Sequence, residues 1–359
     1  MLRVRTSWRA ISLRNRLFAI AGAVIPLAAV VAIVVVVARS PRPTEGPPPL
    51  DVTVRPRPTA TMSASGASPI PSAFRQPSPT PAPPGADPVL GTDGRLTVLL
   101  LGSDYRPAHP GNRTDAIMVV SVDPATGKAA AFSVPRDTVD FPLSGGGRFG
   151  AKVNALYQTL QTKTGNGGDA MRAEFSAAFQ IEIDGYAFIG FRGVRDLVAA
   201  VGGVDVSLDH AYYDPDYWVT STKQGWGLPK GTSHLGPEDA LIFARSRKGD
   251  SDFGRARRQQ ILVLAALQKA RSRGIANLPA LIEIASRTVR TDLPLDRADD
   301  LYRIIMRTDL SKITTTVFGP RTYATDRGGT SFALNLPACQ AWIASNFPPV
   351  RPFGGWPGA

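Results

Sequence analysis

The 359-residue chain has one cysteine, Cys339, and three histidines, His109, His210 and His234. A single thiol excludes an intrachain disulfide framework and any CxxC metal or redox pair. No histidine has a partner at HExxH spacing, which removes the commonest zinc hydrolase pattern. Walker A and GxSxG sequences are also missing, so P-loop nucleotide hydrolysis and ordinary serine hydrolysis are set aside. Gly145 to Gly150 formally match GxGxxG, but no strand pattern precedes them and they read as a flexible loop. Acids are scarce too: 29 Asp plus Glu stand against 41 Lys plus Arg, a net charge of +12. Such a balance asks for an anionic partner, whether nucleic acid, anionic lipid or a phosphate-bearing substrate.

Charge is absent altogether from Leu17 to Ala38, 22 positions ending in Val34-Val35-Val36-Val37. A run of that length can cross about 30 Å of hydrocarbon, so 17–38 is predicted to be a transmembrane helix. A cleaved signal peptide would have a shorter apolar core and a small-x-small site, which Val36-Val37-Ala38 is not. Arg3, Arg5, Arg9, Arg14 and Arg16 precede the span while only Arg39 and Arg42 closely follow it. The positive-inside bias then makes 1–16 a cytoplasmic tail and places the rest outside, as a single-pass type II protein of the cell membrane. Fifteen of the 32 prolines fall between Pro41 and Pro88, so 39–91 reads as an extended extracytoplasmic linker. Divided along the chain, the net charge is +6 for residues 1–40, +1 for 41–88 and +5 for the remainder. Half of it therefore orients a membrane anchor, and the region from 92 to 347 is only mildly basic.

That region alternates strand and helix patterns and predicts one α/β domain, followed by a C-terminal tail at 348–359. Arg95 to Leu101, Ala116 to Val122 and Lys128 to Val134 read as three successive strands, the last two joined by the turn Asp123 to Gly127. Helical spacing appears at Asn154 to Gln161, Asp169 to Phe179 and Phe191 to Val201. Further helices are predicted from Pro237 to Phe243, from Gly254 to Ser272, after Pro279, and from a capping Asp296 to Arg307. The loop from Ser103 to Thr114 is short for a parallel crossover and carries no helical pattern, so the first two strands should run antiparallel. The end of strand one, the start of strand two and the end of strand three then share one sheet edge. Asp104, Arg106, Arg113, Asp115, Arg136 and Asp137 lie there. Carboxylates among arginines suit a divalent cation shared with a phosphate; ordinary surface ion pairs are the plainer alternative. A second concentration runs from Arg245 to Arg258, with six basic residues in 14 positions and two acids, Asp250 and Asp252. It could set several guanidinium forks round one anion, form a solvated basic helix or bind nucleic acid. Arg255 and Arg258, three apart, should share a helix face, and Arg257 should point elsewhere.

The blocks Gly102-Ser103-Asp104-Tyr105-Arg106, Arg113-Thr114-Asp115, Val134-Pro135-Arg136-Asp137-Thr138, Lys152-Val153-Asn154-Ala155-Leu156-Tyr157, Gly202-Gly203-Val204 and Arg245 to Gln259 occur in this order. In that order and spacing they resemble the LytR-CpsA-Psr family of cell-wall glycopolymer ligases over nearly all of 95–345. The resemblance implies a three-layer α-β-α domain with a central mixed, largely antiparallel sheet behind the transmembrane helix. It implies an enzyme that moves a glycopolymer phosphate from a polyprenyl pyrophosphate carrier to a peptidoglycan sugar hydroxyl, with Mg²⁺ (or Mn²⁺) as cofactor. Teichoic acid, arabinogalactan and capsule all remain open as the polymer. By motif position, Asp104 and Asp115 become metal-associated and catalytic, with Arg136 beside them. Arg113, Arg136, Arg245, Arg247, Arg255, Arg258 and Gln259 become the pyrophosphate-binding set. Lys152 and Asn154 match a recurrent block without an assigned role, and Ala116 stands where many relatives have Thr. Phe175, Phe179, Ile181, Phe188, Phe191, Val194 and Leu197 are candidates to line a pocket for the polyprenyl tail. The partners expected are the lipid-linked glycan, peptidoglycan and the cytoplasmic membrane, and not nucleic acid, because the arginine cluster would lie outside the cytoplasm. Lipid or wall binding without turnover, and hydrolysis of the pyrophosphate without transfer, are the alternatives, with a membrane-tethered transcriptional regulator the least favoured.

Overall fold

The computed structural model describes residues 87, 89–104, 112–273, 278–294 and 297–350. The predicted membrane span, nearly all of the linker, Arg106, Asp296 and most of the C-terminal tail lie outside the described residues. Among those described, no helix is long and apolar enough to cross a membrane.

The chain opens with β1 (Leu96–Ser103), β2 (Thr114–Val122) and β3 (Ala129–Ser133), followed by the two-residue strands β4 (Thr138–Val139), β5 (Phe141–Pro142) and β6 (Arg148–Phe149). Helices α1 (Leu156–Thr164) and α2 (Gly167–Phe179), strand β7 (Gly185–Gly190) and helix α3 (Phe191–Ala200) come next. Four strands follow, β8 (Val204–Leu208), β9 (Tyr212–Trp218), β10 (Gln224–Leu228) and β11 (Gly231–Leu235). After them come α4 (Pro237–Arg245), α5 (Asp252–Ser272), α6 (Leu278–Thr288), β12 (Val289–Thr291) and α7 (Ala298–Arg307). The chain closes with β13 (Thr314–Val317), β14 (Ala324–Asp326), β15 (Phe332–Leu334) and α8 (Leu336–Asn346).

A six-stranded sheet in the order β12-β7-β1-β2-β3-β13 forms the centre. The pairings β1/β2, β2/β3 and β7/β12 are antiparallel, while β1/β7 and β3/β13 are parallel. The predicted mixed sheet, with three of its five pairings antiparallel, and the three predicted early strands are thus present. Alternation along each strand divides the side chains between two cores. Leu96, Val98 and Leu100 of β1 and Met118 and Val120 of β2 meet α3, α5, α6 and α7 on one face. Leu99 and Leu101, with Ile117, Val119 and Phe132, meet α1, α2 and α8 on the other. This second core is aromatic: the Phe132 ring lies 4.6 Å from Phe318 and 5.0 Å from Phe179.

The predicted helices form with small shifts at their ends. The α7 helix begins at Ala298 behind Arg297, whose side chain makes no capping hydrogen bond. The Gly202-Gly203 pair ends α3 and turns into β8 with both residues at positive φ, 74° and 85°. A side chain at Gly203 would also run into the His234 ring, so glycine is required there for space as well as conformation.

At the end of the sheet remote from Asp104, the Asp292 carboxylate accepts from the Tyr186 amide at 2.7 Å and meets Arg172 at 3.1 Å. Burial pushes Asp292 up to about 6, with Arg172 opposing. Its proton is held more tightly in the folded chain than in the unfolded one. The contribution to stability is therefore greatest below the unfolded value near 4 and declines as pH rises through about 6. Asp292→Asn should flatten the stability profile between pH 4 and 6, measured by urea unfolding at several pH values. Phe132→Ala should cost about 3–5 kcal/mol in the same assay.

Candidate active site

A bulge shapes the predicted sheet edge. In the β1/β2 ladder Gly102 pairs with Ala116 and Ser103 with Thr114, which leaves Asp115 as the extra residue. A bulged residue is released from the ladder and re-aimed, and Asp115 turns into a cavity of about 340 Å³ beside the sheet. Its Oδ2 accepts from the Arg136 guanidinium at 2.7 Å and its Oδ1 from Asn154 at 3.4 Å. Asp104 lies opposite Arg113, with the Arg113 amide donating to its Oδ1 at 2.9 Å. Gly102 and Ala116 touch so closely that a Cβ on Gly102 would come within 2.8 Å of the Ala116 Cβ. Two such small residues leave the cavity open next to both carboxylates.

The far wall comes from α4 and α5. The last carbonyls of α4 have no partner within the helix, and side chains of α5 supply them: Gln259 donates to Ala244 O at 3.1 Å and Arg258 to Phe243 O and Ser246 O. Asp214 fixes the turn after α4. This carboxylate is buried and accepts from the Ser246 hydroxyl and from the amides of Arg247 and Lys248. Burial alone would raise its pKa, but these hydrogen bonds prevail and hold it below the usual carboxylate range. Arg245 and Arg247 are thereby placed at the cavity, where the Arg245 guanidinium lies 4.5 Å from the Phe191 ring centroid.

Arg255, in the first turn of α5, is buried to 4% exposure. Burial pushes its pKa down to about 10, and Asp252 opposes this with a contact of 2.8 Å. Asp252 also faces Arg136 at 3.6 Å and Arg247 at 3.5 Å. Burial raises its own pKa against the pull of these cations. Arg136 is disfavoured by burial but carried above its ordinary value by Asp115, Asp252 and Asp137. Asp137 itself is buried and held by Lys152 at 2.7 Å.

The structure therefore brings Asp104, Asp115, Arg136, Arg245, Arg247, Arg255 and Gln259 to one cavity. Arg113 is exposed beside Asp104 and does not line the cavity. Arg258 does not line it either. Its guanidinium is consumed by the two carbonyls, by Asp250 at 2.8 Å and by the Tyr212 ring at 4.1 Å. Residues four apart on α5, Arg255 and Gln259, flank the cavity, while Arg258 turns toward α4; Arg257 is exposed, as expected. The expected tail-lining set also divides. Phe191, Val194 and Leu197 line the cavity, whereas Phe175, Phe179 and Phe188 are buried, and Ile181 packs, in the core across the sheet. Strand alternation is the reason: Ala187 and Ile189 of β7 face the cavity and Phe188 faces away. The reading of the sequence missed Asp252 as a partner of three arginines and Asp214 as the anchor of their turn. Aspartates inside a basic run were the available signal for the former; the 31 residues between Asp214 and Ser246 gave none for the latter.

A match to the LytR_cpsA_psr family spans residues 73–332. The chain belongs to that family. Within this LytR_cpsA_psr membership, it is 31% identical over 211 residues to the polyisoprenyl-teichoic acid–peptidoglycan teichoic acid transferase TagU of Bacillus mycoides, covering 58% of this chain and 64% of that protein. It is 33% identical over 228 residues to TagV of Bacillus subtilis, which bears the corresponding transferase name, covering 61% and 55%. The chain thus spans less than two thirds of the length of these relatives. The crystal structure of B. subtilis TagV superposes with a TM-score of 0.55 at 27% identity, covering 71% of this chain and 97% of that one.

Arg258 and Arg255 should separate on substitution. Arg258→Ala strands Asp250 and two carbonyls and should cost about 3–5 kcal/mol of stability, read as a lowered urea midpoint. Arg255→Ala should lower the midpoint less than Arg258→Ala does.

Proposed function

We propose that the protein transfers a glycopolymer phosphate from a polyprenyl pyrophosphate carrier to a sugar hydroxyl of peptidoglycan. One observation carries this reading: an apolar cavity between sheet and helices ends at a cluster of guanidinium groups with two carboxylates beside it. The apolar part, with Leu197, Val198, Leu262, Val263 and Ala266, suits a hydrocarbon tail. The arginines suit the two phosphates attached to it. The names of the TagU and TagV relatives support the same chemistry.

Phosphoryl transfer calls mainly for positioning and for neutralising charge on the transferred and leaving groups. Arg136, Arg245, Arg247 and Arg255 do this here. The acceptor oxygen forms the new bond to the phosphorus that bears the glycan, and the bond from that phosphorus to the bridging oxygen breaks. The lipid monophosphate leaves with the electron pair, and the hydroxyl proton passes to a carboxylate of the Asp104 and Asp115 pair.

The same pair fits a hard divalent cation by donor type, since Mg²⁺ is usually held by one or two carboxylates together with substrate phosphates. Among the described residues no cluster of three or more Asp, Glu, His or Cys could hold a metal on its own, which agrees with a site completed by the substrate. Asp104 and Asp115 would hold Mg²⁺ (or Mn²⁺), which supplies charge neutralisation at the phosphates. The predicted type II anchor at 17–38 would keep the domain outside the cytoplasmic membrane, next to lipid carrier and wall and away from nucleic acid.

In full-length protein in detergent, a lipid-pyrophosphate glycan should be joined to peptidoglycan glycan strands, and a chelator should suppress the reaction. Arg136→Ala and Arg255→Ala should each weaken polyprenyl pyrophosphate binding at least tenfold. Free glycan phosphate without conjugate would establish hydrolysis in place of transfer, and unchanged binding in both variants would remove the proposed site.

A further inference from the structure

On the other side of the arginines lies a second, larger depression of about 580 Å³. Arg245 and Arg247 line both this groove and the apolar cavity and so form the partition between them. Arg245 shows the arrangement atom by atom: its guanidinium covers the Phe191 ring of the cavity while its Nη1 donates to the Tyr217 hydroxyl of the groove at 3.3 Å.

The groove differs from the cavity in kind. Five aspartates face three cationic side chains along its walls. Two of those cations are the partition arginines, whose charge is shared with the cavity. Most of the carboxylates are already engaged: Asp252 by arginines, Asp250 by Arg258, Asp137 by Lys152, and Asp214 by the turn after α4. Asp216 is exposed, and its carboxylate has no partner among the described residues. Three rings, Tyr217, Phe253 and Phe332, add flat apolar surface, and Phe253 and Phe332 meet edge to face at 5.0 Å.

We infer that this groove binds the acceptor saccharide, an N-acetylated amino-sugar chain. The inference rests on the transfer reading above and assigns the second substrate its place. Aromatic faces pack against the C–H faces of pyranose rings, as they do against other apolar surface. The Asp216 carboxylate oxygens can accept from hydroxyl and acetamido N–H groups. In-line displacement also requires the attacking and leaving oxygens on opposite sides of the phosphorus. The acceptor hydroxyl reaches from the groove past the Arg245 and Arg247 partition to the phosphorus, where the Asp104 and Asp115 pair takes its proton.

The test uses the full-length chain in detergent, with un-cross-linked glycan strands as acceptor and, separately, the N-acetylglucosamine tetramer as a neutral probe with no lipid present. Asp216→Ala and Phe332→Ala should each raise the acceptor KM at least fivefold and weaken tetramer binding to the same extent. The affinity for polyprenyl pyrophosphate should stay within twofold. Asp216 is exposed, so its variant keeps the test valid if Phe332→Ala fails to fold. An acceptor KM unchanged in Asp216→Ala overturns the groove assignment, as does a parallel loss of lipid affinity or preferential binding of a polyol phosphate polymer over the tetramer. If the tetramer binds and the variants weaken it, yet wild-type protein forms no conjugate, the groove stands and the transfer reading fails.

Discussion

Guanidinium groups repel one another, and a site that gathers several of them must place carboxylates between them before any phosphate arrives. Asp252 meets this constraint, with Arg255 at 2.8 Å, Arg247 at 3.5 Å and Arg136 at 3.6 Å. Arg136 comes from the loop after β3, Arg247 from the turn after α4 and Arg255 from α5, so one carboxylate joins three separate pieces of chain. Asp115 holds Arg136 from the other side. The price of this arrangement is a buried acid whose charge is disfavoured by its surroundings, and an arginine brought down to about 10. On the proposed function, a pyrophosphate entering the cluster finds its counter-charges in position, and little reorganisation remains to be done.

Behind the cluster, the two faces of the central sheet have separate tasks. The face packed with Phe132, Phe179, Phe318 and Trp342 is filled by stacked and edge-on rings. Close packing there makes the sheet a rigid wall. The opposite face carries smaller residues at the mouth, Gly102, Ala116 and Ala187, and its helices stand off far enough to leave a cavity. Cavity and rigid wall are therefore products of the same strand alternation, with large side chains assigned to one side and small ones to the other.

This explains which parts of the molecule were legible in the sequence. The antiparallel β1/β2/β3 meander followed from loop length and turn chemistry, which are local. The gathering of Asp104, Asp115 and Arg136 at one edge followed from that meander. Arg258 was assigned to the pyrophosphate set by motif position, which does not report the neighbours of a side chain; the free carbonyls of α4 claim its guanidinium. The aromatic tail-lining candidates were misplaced because Phe175, Phe179 and Phe188 resemble pocket residues in composition, and only the pairing of β7 with β1 decides which face each takes. Asp214 was invisible for a simpler reason. Its ligands are backbone amides 33 and 34 residues away, and no spacing rule reports on those.

The position at which the chain enters the sheet has a mechanical consequence. β1 begins at Leu96 and reaches Asp104 only at its other end, a distance of roughly 25 Å at the usual rise per residue. The C-terminal segment is fastened near the same point of entry, with the Arg95 guanidinium donating to Pro348 O and the Val350 amide to Asp93 O. Both covalent exits thus lie at the end away from the cavity mouth. On the proposed anchoring at 17–38, a tether pulling on residue 87 acts like a handle on the back of a tool, at the end opposite the mouth. On that proposal the length of chain before β1 sets the working distance of the mouth, and lengthening or shortening it changes reach without touching a residue of the site.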